Sequence, residues 1–73
     1  MSMFDKYKIW VNAVERLLED GIPRNSDDLM LNVTTVRGRK LRQGIPNKAY
    51  VGIVLARDDR FTYKGKGLWG LVV

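Results

Sequence analysis

Arg60-Phe61-Thr62-Tyr63-Lys64-Gly65-Lys66-Gly67-Leu68-Trp69-Gly70-Leu71-Val72 is the stretch whose reading decides the fold of this chain. Two short runs of aromatic, aliphatic and β-branched residues flank a Lys-Gly-Lys-Gly centre, which predicts a β-hairpin whose turn carries two positive charges. By period-two alternation Phe61 and Tyr63 share one face, and Trp69, Leu71 and Val73 share one face of the return strand. These side chains read as the clamp that fixes the hairpin to the rest of the molecule, because a small domain needs its large apolar groups inside. Lys64 and Lys66 are left at the turn, where they can meet a polyanion.

Immediately upstream, Ile45-Pro46 opens a predicted third helix with Pro46 at its first position and 47–57 as its body. With Tyr50, Ile53 and Val54 toward the core, the outer side presents Asn47, Lys48, Val51, Gly52 and Leu55. A helix that reads bases in a major groove needs several polar donors along it, and only Asn47 and Lys48 supply them here. Asp58-Asp59 would oppose the helix dipole at this end, so they read as turn residues or as partners of Arg57 and Arg60.

Farther back, Ile9, Trp10, Ala13, Val14, Leu17 and Leu18 recur at three- and four-residue steps, which predicts an amphipathic first helix from about Met3 to Asp20. Ser2 and Asp5 resemble a capping box, and Gly21 sits where a left-handed residue ends a helix. Pro23 forces an extended or turn segment. Asn25 or Ser26 can then cap a second helix whose Asp27-Asp28 suit the positive end of its dipole, and Leu29, Val33 and Val36 continue one face. The fold class expected from this order is α+β, with three helices followed by a C-terminal two-stranded hairpin.

The stretch Val36-Arg37-Gly38-Arg39-Lys40-Leu41-Arg42-Gln43-Gly44 places Arg37, Arg39, Lys40 and Arg42 within six residues, with no acid between Leu29 and Arg57. Leu41 is too little apolar material to bury a helix face. The stretch reads as an exposed loop with room for one helical turn, attractive to phosphate.

With 73 residues the chain forms a single domain over 1–73, and a domain of this size buries only about 60% of the surface its unfolded chain exposes. Hydrophobic residues make up 45% and charged residues 29%, a balance that suits a folded domain rather than a disordered chain. Cysteine and histidine are both absent, which removes disulfides, thiol chemistry, the usual neutral-pH general base and the commonest zinc ligands. No enzymatic activity, cofactor or metal site is expected. No apolar run approaches the roughly 20 residues of a membrane span, and no signal peptide is discernible, so a cytoplasmic protein is expected.

The net charge of +5 is unevenly spread. Residues 1–28 carry four basic and six acidic side chains, and residues 29–73 carry nine basic against two acidic. The second part is the electrostatic footprint of a protein with a polyanionic partner.

Three helices followed by a hairpin is the winged helix-turn-helix layout, and Gly44-Ile45-Pro46, Asp59-Arg60-Phe61 and Gly65-Lys66-Gly67-Leu68-Trp69-Gly70-Leu71 together resemble the HARE-HTH winged-helix family. Trp10 with Ala13 matches the opening of that family's first helix, and the likeness extends over nearly the whole chain. Ile45 departs from it, since the family prefers threonine there, and a side-chain cap on the third helix is thereby lost. The resemblance implies DNA binding, inferred for members fused to DNA-processing enzymes, or docking on RNA polymerase, as in a bacterial polymerase subunit of the family.

Two functional expectations follow. In the first, a monomer or weak homodimer binds duplex DNA with weak sequence specificity, as a regulator of transcription or another DNA transaction. Arg37, Arg39, Lys40 and Arg42 would touch phosphates, Asn47 and Lys48 would stand at the major groove, and Lys64 and Lys66 would bring the wing to the backbone or minor groove. In the second, the outer face of the third helix, Val51, Gly52 and Leu55, docks on RNA polymerase or another protein.

Overall fold

The computed structural model describes residues 5–72. A 3-10 turn, Asp5–Tyr7, leads into α1, Lys8–Leu18, which buries Trp10, Val11, Ala13, Val14 and Leu18 along one stripe. Ile9, expected on that stripe, falls just outside its arc and faces solvent. The expected start at Met3 and the cap from Ser2 lie outside the described residues, and α1 itself begins without a side-chain cap at Tyr7. Its end is as expected: the Gly21 N–H donates to the Leu18 carbonyl at 3.0 Å, with Gly21 at a φ of 81°.

Beyond Pro23 the chain is extended, and Arg24–Asn25 form a short strand, β1. Two residues are too few for periodicity to register, and only the preceding proline hints at an extended segment. Asn25 then caps α2, Ser26–Leu31, its Oδ1 accepting from the Asp28 N–H at 2.9 Å. The expected continuation of α2 through Val33 and Val36 is corrected: the helix stops after Leu31. Asn32 leaves helical geometry at a φ of −112°, and the following Val33-Thr34-Thr35-Val36 is a β-branched run that favours extended backbone. Val33 still reaches the core, but Val36 is 82% exposed.

So short a helix leaves terminal carbonyls without intrahelical partners. One of them, on Leu29, accepts from the indole N–H of Trp10 at 2.9 Å inside the core. Trp10 is therefore both the largest buried side chain and the tie between α1 and α2.

Helix α3, Lys48–Ala56, starts two residues after Pro46, which is itself fully buried before the Asn47 cap position rather than at the first helical position. Its orientation also differs from expectation. Val51, Val54 and Leu55 are buried, while Tyr50 is 44% and Ile53 47% exposed. Gly52 faces the sheet, where a Cβ would lie 3.7 Å from Cζ2 of Trp69. The helix is apolar on every side between Tyr50 and Ala56, so its sequence carries no polar stripe to fix which face turns inward. Val51, Gly52 and Leu55 thus belong to the packing surface and cannot form an outward docking face.

The chain closes with β2, Phe61–Gly65, and β3, Leu68–Leu71. They pair antiparallel with Phe61 opposite Leu71 and Tyr63 opposite Trp69, and a bulge falls between Tyr63 and Gly65. β1 pairs antiparallel with β3, Arg24 opposite Trp69, so the expected two-stranded hairpin is the larger part of a three-stranded sheet in the order β1-β3-β2. Phe61 is buried as the clamp expected of it. Tyr63 is not: it is 55% exposed and lies edge-on to Trp69, ring centroids 5.2 Å apart. Val73 lies outside the described residues. The result is a small α+β fold of helices on a three-stranded antiparallel sheet. No helix among the described residues is long and apolar enough to cross a membrane.

Candidate nucleic-acid interface

The basic stretch after α2 is a second, smaller hairpin with no helical turn in it. Thr34 and Lys40 form an antiparallel bridge. The Thr35 N–H donates to the Arg39 carbonyl at 2.7 Å, and the Gly38 N–H donates to the Thr35 carbonyl at 2.9 Å. Gly38 has a φ of 82°, so Val36, Arg37 and Gly38 make a three-residue hairpin loop that ends in a left-handed residue, a form that glycine favours. The Thr35 hydroxyl oxygen supports the same loop, accepting from the N–H groups of Arg37 and Arg39 at 3.3 Å each.

The base of this hairpin is fixed to the body in two ways. The Leu41 N–H donates to the Val33 carbonyl at 3.1 Å, with both side chains in the core. On the other side a guanidinium NH2 of Arg16 donates to the Thr34 carbonyl at 2.8 Å. Arg37, Arg39, Lys40 and Arg42 are all exposed. Arg39, Lys40 and Arg42 line an open hollow together with Thr35, Leu41 and Gln43, a concavity whose charged rim suits a phosphate.

The C-terminal hairpin offers Lys64 and Lys66 around its turn. Gly65, Lys66 and Gly67 all have positive φ, at 87°, 55° and 77°, and the Gly67 N–H donates to the Tyr63 hydroxyl oxygen at 2.8 Å. The tyrosine thus braces the turn that presents the lysines. The stem of Lys64 lies along Gly70, whose missing side chain leaves room for it.

At the start of α3, Asn47 and Lys48 are exposed as expected. The Asn47 side chain makes no capping bond. Lys48 is less free: its ammonium lies 3.3 Å from Asp27, in a pair so exposed that it contributes little to stability.

Other arginines hold the fold together. Arg60 grips Asp58 through two parallel bonds, Nε to Oδ1 at 2.9 Å and NH2 to Oδ2 at 2.7 Å, and its NH1 reaches Asn12 at 3.0 Å and Glu15 at 3.2 Å. This joins the α3–β2 turn to α1. The Arg60 bonds hold the Asp58 carboxyl below its ordinary pKa, and Asp58 in turn raises that of Arg60. Arg24 pairs with Asp20 at 2.8 Å. The Asp20 carboxyl, lowered first by the Ile22 N–H and then by Arg24, closes the turn after α1.

Among the described residues, then, two groups of basic side chains stand out beside Lys6, which lies over the Tyr7 ring, and Lys48, which pairs with Asp27. Arg16, Arg24 and Arg60 are committed to carbonyls or carboxylates, whereas Arg37, Arg39, Lys40, Arg42, Lys64 and Lys66 have no hydrogen-bonding or ionic partner for their charged ends. Sequence reasoning identified the second group by charge density but missed that Val36 stands at the same tip. Thr35 and Gly38 at the first and fourth places of a turn, with β-branched residues before it, were the signal for that hairpin. No protein-family model, curated protein or solved structure matches the chain.

Proposed function

We propose that the chain is a winged helix-turn-helix domain of HARE-HTH type that binds duplex DNA with weak sequence specificity, in the regulation of transcription or another DNA transaction. The observation that carries this reading is the segregation of charge. Six cationic side chains with no protein partner sit on two turns and their flanks, while the arginines near acids are used internally. A polyanion satisfies such a surface, and no acidic neighbour must be displaced first. Support for the fold family comes from the three-helix body followed by the β2–β3 hairpin, and from the Gly-Lys-Gly-Leu-Trp-Gly-Leu wing sequence. Weak specificity follows from the exposed side of α3, where Ala49, Tyr50 and Ile53 bring few base-reading groups.

The alternative of protein docking through Val51, Gly52 and Leu55 has lost the exposed residues that motivated it. The test is a salt titration of binding to a labelled duplex. With each of the six uncommitted cations neutralising one phosphate, log affinity falls against log salt with a slope of about −5. Lys64→Glu with Lys66→Glu flattens the slope by about 2. No binding at low salt, or affinity independent of salt, defeats the reading.

A further inference from the structure

We propose that the tip of the 34–40 hairpin enters the minor groove of A·T-rich duplex DNA, with Arg37 along the groove floor and Val36 against the sugar and base edges. This rests on the DNA-binding reading above and names the element and the groove. The first observation is Val36. It is the most exposed large apolar side chain among the described residues, at 82%, and it sits beside Arg37 at the apex of a turn. Contact with phosphates has no use for a branched hydrocarbon, whereas minor-groove proteins combine an arginine in the groove with an apolar wedge at a base step.

The second observation is rigidity. The Thr34–Lys40 bridge, the two bonds to the Thr35 hydroxyl oxygen, the Arg16 bond to the Thr34 carbonyl and the buried Val33 and Leu41 hold the tip before any ligand arrives. Little conformational freedom is then lost when it docks.

The third is chemical. The apex, Val36, Arg37 and Gly38, offers a guanidinium and a branched hydrocarbon but no side-chain acceptor, so it has no group to read the amino groups of adenine or cytosine in the major groove. It does suit the minor groove of A·T tracts, which is narrow and carries an enhanced negative potential. Paired strands lie about 5 Å apart, against a minor groove about 6 Å wide. The side chains of the apex can therefore enter while the ribbon stays outside, leaving Arg39, Lys40 and Arg42 to reach the flanking phosphates. On G·C pairs the guanine N2 amino group projects from the groove floor and obstructs both side chains.

The experiment measures binding of the full chain, by fluorescence anisotropy at fixed low salt, to three duplexes of equal length built from A·T, G·C and inosine·C pairs. Inosine·C has the major-groove edges of G·C but lacks the N2 amino group, so its minor groove resembles that of A·T. The expected result is that A·T and inosine·C bind alike, each at least about fivefold tighter than G·C. Arg37→Ala removes that preference and Val36→Ser reduces it, while Lys64→Ala weakens all three duplexes by one common factor. Inosine·C tracking G·C, or equal affinity for all three, overturns the minor-groove assignment and leaves DNA binding standing. Failure to bind any duplex overturns both. The two apex substitutions lie on an exposed turn, and far-UV circular dichroism checks that each variant remains folded.

Discussion

The indole N–H of Trp10 is the most informative single group to remove. It donates to the Leu29 carbonyl at 2.9 Å with Trp10 and Leu29 both fully buried, so no water can replace it. Trp10→Phe leaves that carbonyl unsatisfied, at about 1–3 kcal/mol, and opens space in the core for about 1 kcal/mol more. The expected loss is about 2–4 kcal/mol, a large share of the roughly 4–11 kcal/mol that a domain of this length commands. In a domain of this size each kcal/mol shifts Tm by about 4–8 °C, so a fall of at least about 8 °C is expected. Thermal and urea unfolding followed by far-UV circular dichroism measure it. Replacing Trp10 with benzothienylalanine, which keeps the shape and lacks the donor, isolates the hydrogen bond at about 1–3 kcal/mol. If that analogue unfolds within about 0.5 kcal/mol of the parent, the indole N–H does not supply the missing partner of α2.

Three further predictions address other parts of the structure. Lys66 is the single non-glycine residue at positive φ among the described residues, so Lys66→Gly relieves left-handed strain and raises stability by about 0.5–1 kcal/mol in urea melts; an unchanged or lower midpoint contradicts this. Leu55 is fully buried, and Leu55→Asp costs at least about 3 kcal/mol by placing a charge in the core; a well-folded variant by NMR would mean that α3 is oriented otherwise. Arg60 lowers the Asp58 carboxyl from its ordinary 3.8, so the stability contributed is present above that value and lost as pH falls through the folded pKa. Asp58→Asn should therefore be less stable than the parent at neutral pH, with the gap closing on acidification below about pH 4; a gap unchanged down to about pH 2 refutes the linkage.

The helices and the main hairpin could be read because their patterns are long compared with their periods. Trp10, Val14 and Leu18 repeat over α1, and Gly21, Pro23 and Asn25 mark its end and the start of α2 in chemical terms that hold locally. Three features escaped for separate reasons. β1 is two residues long and is defined by pairing with Leu68 and Trp69, more than forty residues away, which no local pattern encodes. The inward face of α3 is chosen by what it packs against, with Gly52 set toward Trp69, because the helix has no polar side of its own. The 34–40 hairpin is short and rich in charge, so its strands lack the alternation that identified the larger one, and its turn residues were overshadowed by four cations. Of the candidate interface, the identity of the exposed cations was legible from composition. The apex at Val36 and Arg37 required the backbone.

The placement of these charges follows from what so small a domain can tolerate. After residue 28 the chain carries nine basic side chains against two acids, and an interior of this size cannot accommodate an unpaired charge. Arg60 avoids the cost by matching its planar fork to Asp58 and its remaining nitrogen to Asn12 and Glu15. Arg37, Arg39, Lys40, Arg42, Lys64 and Lys66 avoid it by lying on two turns and their flanks, where full hydration keeps repulsion small: two like charges 10 Å apart in water repel by only about 0.4 kcal/mol. Glycine at Gly38, Gly65 and Gly67 makes those turns tight, and of the six cations it is Lys64 whose stem packs against the sheet, along Gly70. The clamps beneath them lie apart from the tips: Leu41, Val33 and the Arg16 bond to the Thr34 carbonyl under one hairpin, Phe61 and Trp69 under the other. Charge at the tips can therefore be reversed without disturbing the groups that hold the hairpins in place, so a loss of DNA binding in such variants reports on the interface and not on the fold.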